Sequence, residues 1–385
     1  MMSSKTYDVL IVGAGVFGAW TALQLKRRGV TVALLDAFGP ANSRASSGGE
    51  TRLIRMGYGK DEIYSRWAMR ALPMWQELSE RGREPLFHKT GILWLAHKTD
   101  GYEQDCLATL RKLGAPITTV SREELSRSYP QFNLDSVTWA LLEPESGVLM
   151  ARRAVQSVAA ESCRLGVEYI QAQALAPQET GRINYLTLGN GEEISAGTFV
   201  FACGAWLPKV FPHLLGDRIF PTRQEVFFFG IPAGSRSFAA PALPAWINFD
   251  DGEAYGMPDL ESRGLKVAID RHGERFDPDT GSRIISGAGQ DEVRGYVRRL
   301  FPEMKEAPVV ETRVCQYENT SNGDFLVDRH PSCENMWLVG GGSGHGFKHG
   351  PVMGEYVASR IIDGGAVEPR FTLGTKDPIQ HRTIR

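Results

Sequence analysis

Three glycines near the start of the chain are spaced to hold phosphate. Gly13, Gly15 and Gly18 form G-x-G-x-x-G, with Ala14, Val16 and Phe17 between them. Gly13 allows a tight turn, Gly15 lets the backbone approach a pyrophosphate, and Gly18 lets a helix pack closely on a strand. The N–H groups and positive dipole end of the following helix would face the phosphates. Asp36 stands where an acid can accept both hydroxyls of an adenosine ribose. A second glycine-rich stretch, Gly340-Gly341-Gly342-Ser343-Gly344-His345-Gly346-Phe347-Lys348-His349-Gly350-Pro351, lies near the other end. A strand, a turn and a helix there would offer a second positive helix end. One phosphate site suffices for a dinucleotide. A second site suits a flavin, whose pyrimidine ring becomes anionic on reduction, whereas NAD has no such need. These glycines could instead only pack a helix on a sheet, but His345 and Lys348 would then place two cations where nothing negative lies. Between the two stretches, Ser46-Ser47-Gly48-Gly49-Glu50-Thr51-Arg52 runs on to Arg55. Its small residues can lie against a flat ligand and its hydroxyls can bond to it; the plainer reading is a surface loop with two solvated arginines.

These residues need particular elements to carry them. The apolar run Val9 to Val12 reads as a buried parallel strand, the stretch from Val16 to Gly29 as a helix, and Val32 to Leu35 as a second strand ending in Asp36. Residues 61–81 have amphipathic helical spacing, and Lys89 to Ala96 reads as a strand. Residues 101–130 read as mostly helical, with Ser121 and Glu124 as a capping box. A helix over Ala151 to Leu165, a strand over Val167 to Ala172 and a hairpin through Gly189-Asn190-Gly191 follow. Thr198 to Trp206 reads as a return to the dinucleotide domain. Residues 221–300 have antiparallel-sheet composition, with strands at Val226 to Gly230, Trp246 to Phe249, Glu253 to Met257 and Gly264 to Asp270, then a helix near Asp291 to Leu300. A last buried strand, Asn335 to Val339, precedes the second glycine loop. A helix then spans Val352 to Ile362, and the tail after Gly364 reads as polar and extended. The expected fold is α/β plus α+β: a Rossmann-like dinucleotide domain over 1–85, 145–220 and 310–385, with an antiparallel-sheet substrate domain inserted at 86–144 and 221–309.

Bulk properties narrow the function classes. The 385 residues are 42% hydrophobic, enough to bury a large core and long for one domain. A formal net charge of −2 without charge blocks gives no support to a nucleic-acid partner. Five cysteines, an odd number without C-x-x-C spacing, form neither a disulfide framework nor a zinc site, so no metal is expected and a reducing compartment is. The N-terminal apolar run is too short to span a membrane, and no signal-peptide cleavage pattern follows it. A cytoplasmic protein is expected.

Beyond these motifs, the chain resembles the monomeric sarcosine oxidase family of flavoprotein amine oxidases, within the D-amino-acid-oxidase-like group. The resemblance rests on Val9–Gly18, Ser46–Arg55, Tyr255-Gly256-Met257-Pro258, Gly264-Leu265-Lys266, Cys315-Gln316-Tyr317-Glu318-Asn319-Thr320 and Ser343–Lys348, in the family order. It implies FAD joined covalently to Cys315, with Arg52 beside the flavin. It implies that Arg55 and Lys348 hold a substrate carboxylate, that Lys266 promotes reaction with O2, and that Tyr317, Tyr255 and His345 line the pocket. Gly342, Gly344, Gly346 and Phe347 would join Ser46, Ser47 and Thr51 around the cofactor. The implied activity is oxidation of a secondary amine, an N-alkyl amino acid, by a monomeric enzyme that gives hydrogen peroxide. The alternative is a dehydrogenase passing electrons to a carrier; a binding scaffold without turnover and an NAD enzyme are weaker rivals. Two departures bear on the substrate: Gly48 and Asp270 each stand where the family has histidine. Alternation puts Lys266, Ala268 and Asp270 on one strand face, and a turn near Asp259 and Leu260 would set Tyr255 opposite Lys266. Asp270 then either pairs with Arg271 or Arg263 or lines the pocket and favours substrates with a second polar or cationic group.

Overall fold

The β-α-β unit forms where its pattern places it: strand Thr6–Val12, helix Val16–Arg27 and strand Val32–Asp36. The computed structural model describes residues 6–82, 84–177 and 180–381. The apolar strand is buried on both faces, which explains its lack of alternation. Gly13 adopts φ +109°, and a Cβ on Gly18 would lie 1.8 Å from the Gly13 carbonyl oxygen. Strand and helix can therefore meet this closely only without a side chain at position 18.

This unit sits in a seven-stranded sheet ordered Leu326–Arg329, Met336–Gly340, Glu193–Phe201, Thr6–Val12, Val32–Asp36, Glu168–Gln171, with Tyr185–Thr187 paired on Glu193–Phe201. The central pairs are parallel. Helices Ala151–Arg164 and Gly350–Ile362 pack against Val16–Arg27. The final helix starts two residues before the expected Val352, and a 3-10 turn, Phe347–His349, separates it from the glycine loop.

An eight-stranded sheet forms the second layer, in the order Val309–Thr320, Ile219–Phe229, Leu265–Ile269, Ala254–Met257, Ala245–Asn248, Ile92–Ala96, Trp139–Glu143, Thr118–Ser121. It is antiparallel except where Ala245–Asn248 runs parallel to Ile92–Ala96. Its longest ladder joins Ile219–Phe229 to Val309–Thr320. The strand expected at Val226 therefore begins seven residues earlier. Val309–Thr320, which sequence reasoning assigned to the dinucleotide domain, belongs to this sheet. Polar residues occur on both of its faces, so no clean alternation announced it. A three-stranded sheet, Thr51–Ile54, Gly147–Met150 and Phe87–His88, bridges the two layers.

Two other segments differ from expectation. Residues 101–130 hold a strand, Thr118–Ser121, between helices Tyr102–Lys112 and Arg122–Ser128. Its β-branched Thr118-Thr119-Val120 run favours extension. The Ser121–Glu124 capping box is present. The tail is not extended: two 3-10 turns bring Phe371 and Lys376 to full burial, and Arg370 pairs with Asp324 at 2.7 Å and Asp61 at 3.0 Å. Among the described residues no helix is long and apolar enough to cross a membrane.

The Gly18 contact has a measurable consequence. Gly18→Ala must push helix and strand apart, at about 1–3 kcal/mol for overpacking, and lowers the thermal midpoint by several degrees. Gly287→Ala, whose new methyl would meet nothing within 4 Å, leaves the midpoint in place. Circular dichroism melts of both variants check this.

Candidate active site

A cleft of 420 Å³ opens between the two sheets. Gly13, Gly15, Val16, Phe17 and Asp36 line it from the β-α-β unit. Ser46, Ser47 and Arg52 line it from the loop, and Gly342, Gly344, Gly346 and Phe347 from the second glycine stretch. Tyr317 and Glu318 line it from the far sheet. Ala14, Gly18, Thr51, Cys315 and Lys348 do not reach the lining. Ala14 and Gly18 support it: the Ala14 N–H donates to Asp36 Oδ2 at 2.8 Å, and Gly18 seats the helix.

The residues present fit FAD. Asp36 offers a carboxylate at the end of its strand, held by the N–H groups of Ala14, Phe38 and Gly39. Ser46 Oγ and Glu318 Oε2 are buried with no partner among the described residues, so the cleft retains polar groups for a ligand to meet. Burial raises the Glu318 carboxyl to about 7, against the opposing N–H groups of Gly342 and Gly341.

Arg52 and Cys315 meet across the two layers. The guanidinium donates to the carbonyls of Thr51 at 2.8 Å and Ser46 at 2.7 Å, and to Cys315 Sγ at 3.2 Å. Thr51 serves Lys266: its carbonyl and hydroxyl oxygens accept from Lys266 Nζ at 2.9 and 3.1 Å. Burial, reinforced by the Arg52 charge, pushes the Lys266 amine well below the ordinary lysine range. Tyr255 faces Ala268 across the hairpin, and Met257 faces Lys266, so the expected register is off by two residues. Parity is preserved, and Lys266 Nζ lies 5.9 Å from the Tyr255 ring centroid.

Arg55 and Lys348 converge on one aromatic ring. The Arg55 guanidinium carbon lies 4.4 Å from the Tyr58 ring centroid, and Lys348 Nζ lies 5.2 Å from it. Both cations are 5% exposed. Neither has a carboxylate at ion-pair distance among the described residues. Burial and the Arg55 charge push the Lys348 amine well below its ordinary range. The segment under this pair is tied by Glu143, a fully buried carboxylate. It accepts from the N–H groups of Met56 and Gly57, the Trp94 indole and the Ser146 hydroxyl.

Asp270 pairs with neither arginine suggested for it; Arg271 pairs with Glu292 and Arg263 with Glu311. The Tyr317 hydroxyl donates to Asp270 Oδ1 at 2.9 Å. Burial raises the Asp270 carboxyl to about 6, opposed by that hydrogen bond and by the charges of Arg55 and Lys348. His345 does not line the cleft, and its Nδ1 lies 3.4 Å from Tyr58 Oη. Its Nε2 lies 2.9 Å from the Gly323 carbonyl and its ring stacks on Phe325 at 4.9 Å, within an aromatic cluster. Gly48 is packed against the Asn42 carbonyl, where a Cβ would sit at 1.9 Å, so the loop as folded has no room for a side chain there. Sequence reasoning missed Tyr58, Glu143 and His349. Tyr58 could have been suspected from its place three residues after Arg55; nothing local singled out Glu143.

The family described as FAD dependent oxidoreductase matches residues 8–360. Monomeric sarcosine oxidase of Arthrobacter sp. (strain TE1826) is 27% identical over 371 residues, 94% of each chain. N-methyl-L-tryptophan oxidase of Salmonella heidelberg (strain SL476) is 27% identical over 361 residues, 91% of this chain and 94% of its own. The fold is shared with L-proline dehydrogenase from P. horikoshii, at a TM-score of 0.81 and 21% identity over 97% of both chains. Fructosamine oxidase from Aspergillus fumigatus superimposes at 0.80 with 22% identity, over 96% of this chain and 89% of that one.

Asp270 makes stability depend on pH. The folded chain keeps its proton up to about pH 6, whereas the unfolded value is 3.8. Native stability therefore falls as pH rises through that window. Asp270→Asn, which keeps an acceptor for Tyr317, is more stable than the parent at pH 8, by roughly 1–3 kcal/mol, and equal to it at pH 4. Urea unfolding at both pH values checks the sign.

Proposed function

The chain belongs to the family of FAD dependent oxidoreductases, and from that premise we propose that it oxidises the C–N bond of a secondary amine bearing a carboxylate, an N-alkyl amino acid. O2 takes the electrons as hydrogen peroxide, and the imine product hydrolyses. The observation that carries this reading is the pair of buried cations, Arg55 and Lys348, over the Tyr58 ring, with no carboxylate at ion-pair distance among the described residues. Such a pair calls for an anion from outside, and a bidentate guanidinium with a lysine fixes a carboxylate in orientation. The relatives named for sarcosine and N-methyl-L-tryptophan support the same substrate class.

FAD, when bound, supplies the two-electron acceptor; the residues do the rest. Gly13, Gly15, Asp36, Ser46 and Ser47 would hold its nucleotide half, and Arg52, Gly342, Gly344, Gly346 and Phe347 its ring half. Lys266, braced by Thr51, presents an amine where O2 would react. Tyr317 and Tyr255 with Asp270 form the wall beside the substrate's nitrogen substituent. A carboxyl there, in place of the family's histidine, favours a larger or more polar substituent than methyl.

Peroxide formed mole for mole with aldehyde or amine, in a screen of N-substituted amino acids, tests the activity. A screen in which no such amine bleaches the yellow protein anaerobically would sink it. Lys266→Met should slow peroxide formation roughly 10²-fold while anaerobic bleaching slows far less. A loss of bleaching instead would remove Lys266 from the O2 step.

Covalent attachment at Cys315 is part of the proposal. Its support is the placement of Cys315 Sγ at 3.2 Å from Arg52, on the strand that also presents Tyr317 to the cleft. Acid precipitation of holoprotein should leave the yellow colour in the pellet, and Cys315→Ser should move it to the supernatant. Colour released by the parent protein would end this assignment.

A further inference from the structure

We propose that Lys348 is the base that receives the proton lost by the substrate's ammonium group. An amino acid then binds without net proton exchange with solvent, whereas a carboxylate lacking an amine draws one proton in. The inference rests on the assignment of Arg55 and Lys348 to the substrate carboxylate.

The geometry around Lys348 suits an uncharged amine. Its Nζ donates to Tyr58 Oη at 2.8 Å and to the His345 carbonyl at 3.0 Å, with no third partner among the described residues. Two N–H groups suffice for these bonds, and a neutral amine has two. The Tyr58 oxygen carries one proton and lies 2.7 Å from His349 Nε2. When that proton points to His349, Tyr58 accepts from Lys348. His349 is fully buried, and its Nδ1 has no partner among the described residues, so nothing there compensates an imidazolium. Burial pushes the His349 ring well below the ordinary histidine range.

Every charged group near Lys348 bears on its proton. Arg55 shares the Tyr58 ring with it and cannot deprotonate, so of the two cations the lysine is the one that yields. His349 and His345 lie on its own turn, His345 meeting it through the backbone carbonyl. Asp270 and Glu143 act only over distance. Asp270 is engaged by Tyr317, and Glu143 is saturated by four donors.

The proton balance is closed within the site. The substrate arrives as ammonium and carboxylate. An N–H bond of the ammonium breaks, and its electron pair stays on the substrate nitrogen as the lone pair that oxidation needs. A new N–H bond forms on Lys348 Nζ, and the resulting ammonium pairs with the substrate carboxylate. No oxidant is consumed in this step. A simple carboxylate brings no proton, so Lys348 takes its proton from solvent.

A matched pair of ligands tests this on holoenzyme at pH 8: isobutyrate, and 2-aminoisobutyrate, whose amine-bearing carbon has no hydrogen to lose. Calorimetric titration in buffers of different ionisation enthalpy counts the protons. Isobutyrate should take up about one proton per site and 2-aminoisobutyrate none. Lys348→Arg, which keeps the charge permanently, should bind isobutyrate without uptake, and Asp270→Asn should retain it. Isobutyrate binding to the parent without uptake, or uptake that survives Lys348→Arg, overturns the proposal and leaves the carboxylate site standing. Failure of both ligands to bind the parent overturns the carboxylate assignment itself. If Lys348→Arg does not fold, the parent and Asp270→Asn decide: uptake lost in Asp270→Asn assigns the proton to Asp270 and overturns the proposal.

Discussion

Cations withdrawn from water without carboxylate partners set the terms for this molecule. Arg52 lies near Lys266 and Arg55 near Lys348, and among the described residues none of the four forms an ion pair with an acid. Removing such charges from water costs several kcal/mol each when nothing compensates. The chain compensates with carbonyl oxygens, from Ser46, Thr51, Gly57 and His345, and with the Tyr58 ring. Carbonyl dipoles are weaker partners than carboxylates, so each cation stays available to an incoming anion. The two lysines meet the remaining cost by weakening their hold on a proton, an option the arginines lack.

Holding carbonyls and rings in place for that purpose demands stiff surroundings. Glu143 supplies part of the stiffness, since four donors from three separate stretches converge on one buried carboxylate. The buried tail supplies more. Arg370 grips Asp324, which also accepts from Tyr64, and the adjacent Gly323 carbonyl meets His345. The last residues of the core thus brace the wall behind Lys348.

The cleft exists because two sheets of different kinds meet there. The parallel sheet contributes loops at the ends of its strands, where backbone N–H groups suit phosphates. The other sheet contributes a long strand whose side chains alternate. Cys315 and Tyr317 therefore share a face, at positions opposite Gln224 and Thr222. Backbone N–H groups on one side of the cleft and alternating side chains on the other come from two architectures pressed together.

Local signals were sufficient where one stretch of chain builds a whole feature. The β-α-β unit, the Ser121 cap, the buried strand before the second glycine loop and the helix after it are all written in neighbouring residues. Gly13, Gly15 and Asp36, which line the cleft, were legible for the same reason: spacing alone defines their geometry. The strand Val309–Thr320 was not legible, because its polar residues answer to a cleft on one side and charged neighbours on the other. The folded tail was hidden too, since Phe371 and Lys376 find their partners only in distant segments. By itself the sequence marked the two glycine stretches, Asp36 and the small-residue loop that come together around the cleft. Only the tertiary structure decided that Asp270 would be held by Tyr317 rather than an arginine, and that His345 would sit among aromatic rings. It also decided that Tyr58, Glu143 and His349 would stand around the two cations. Those choices depend on register and on contacts between segments far apart in the chain, and no local pattern encodes them.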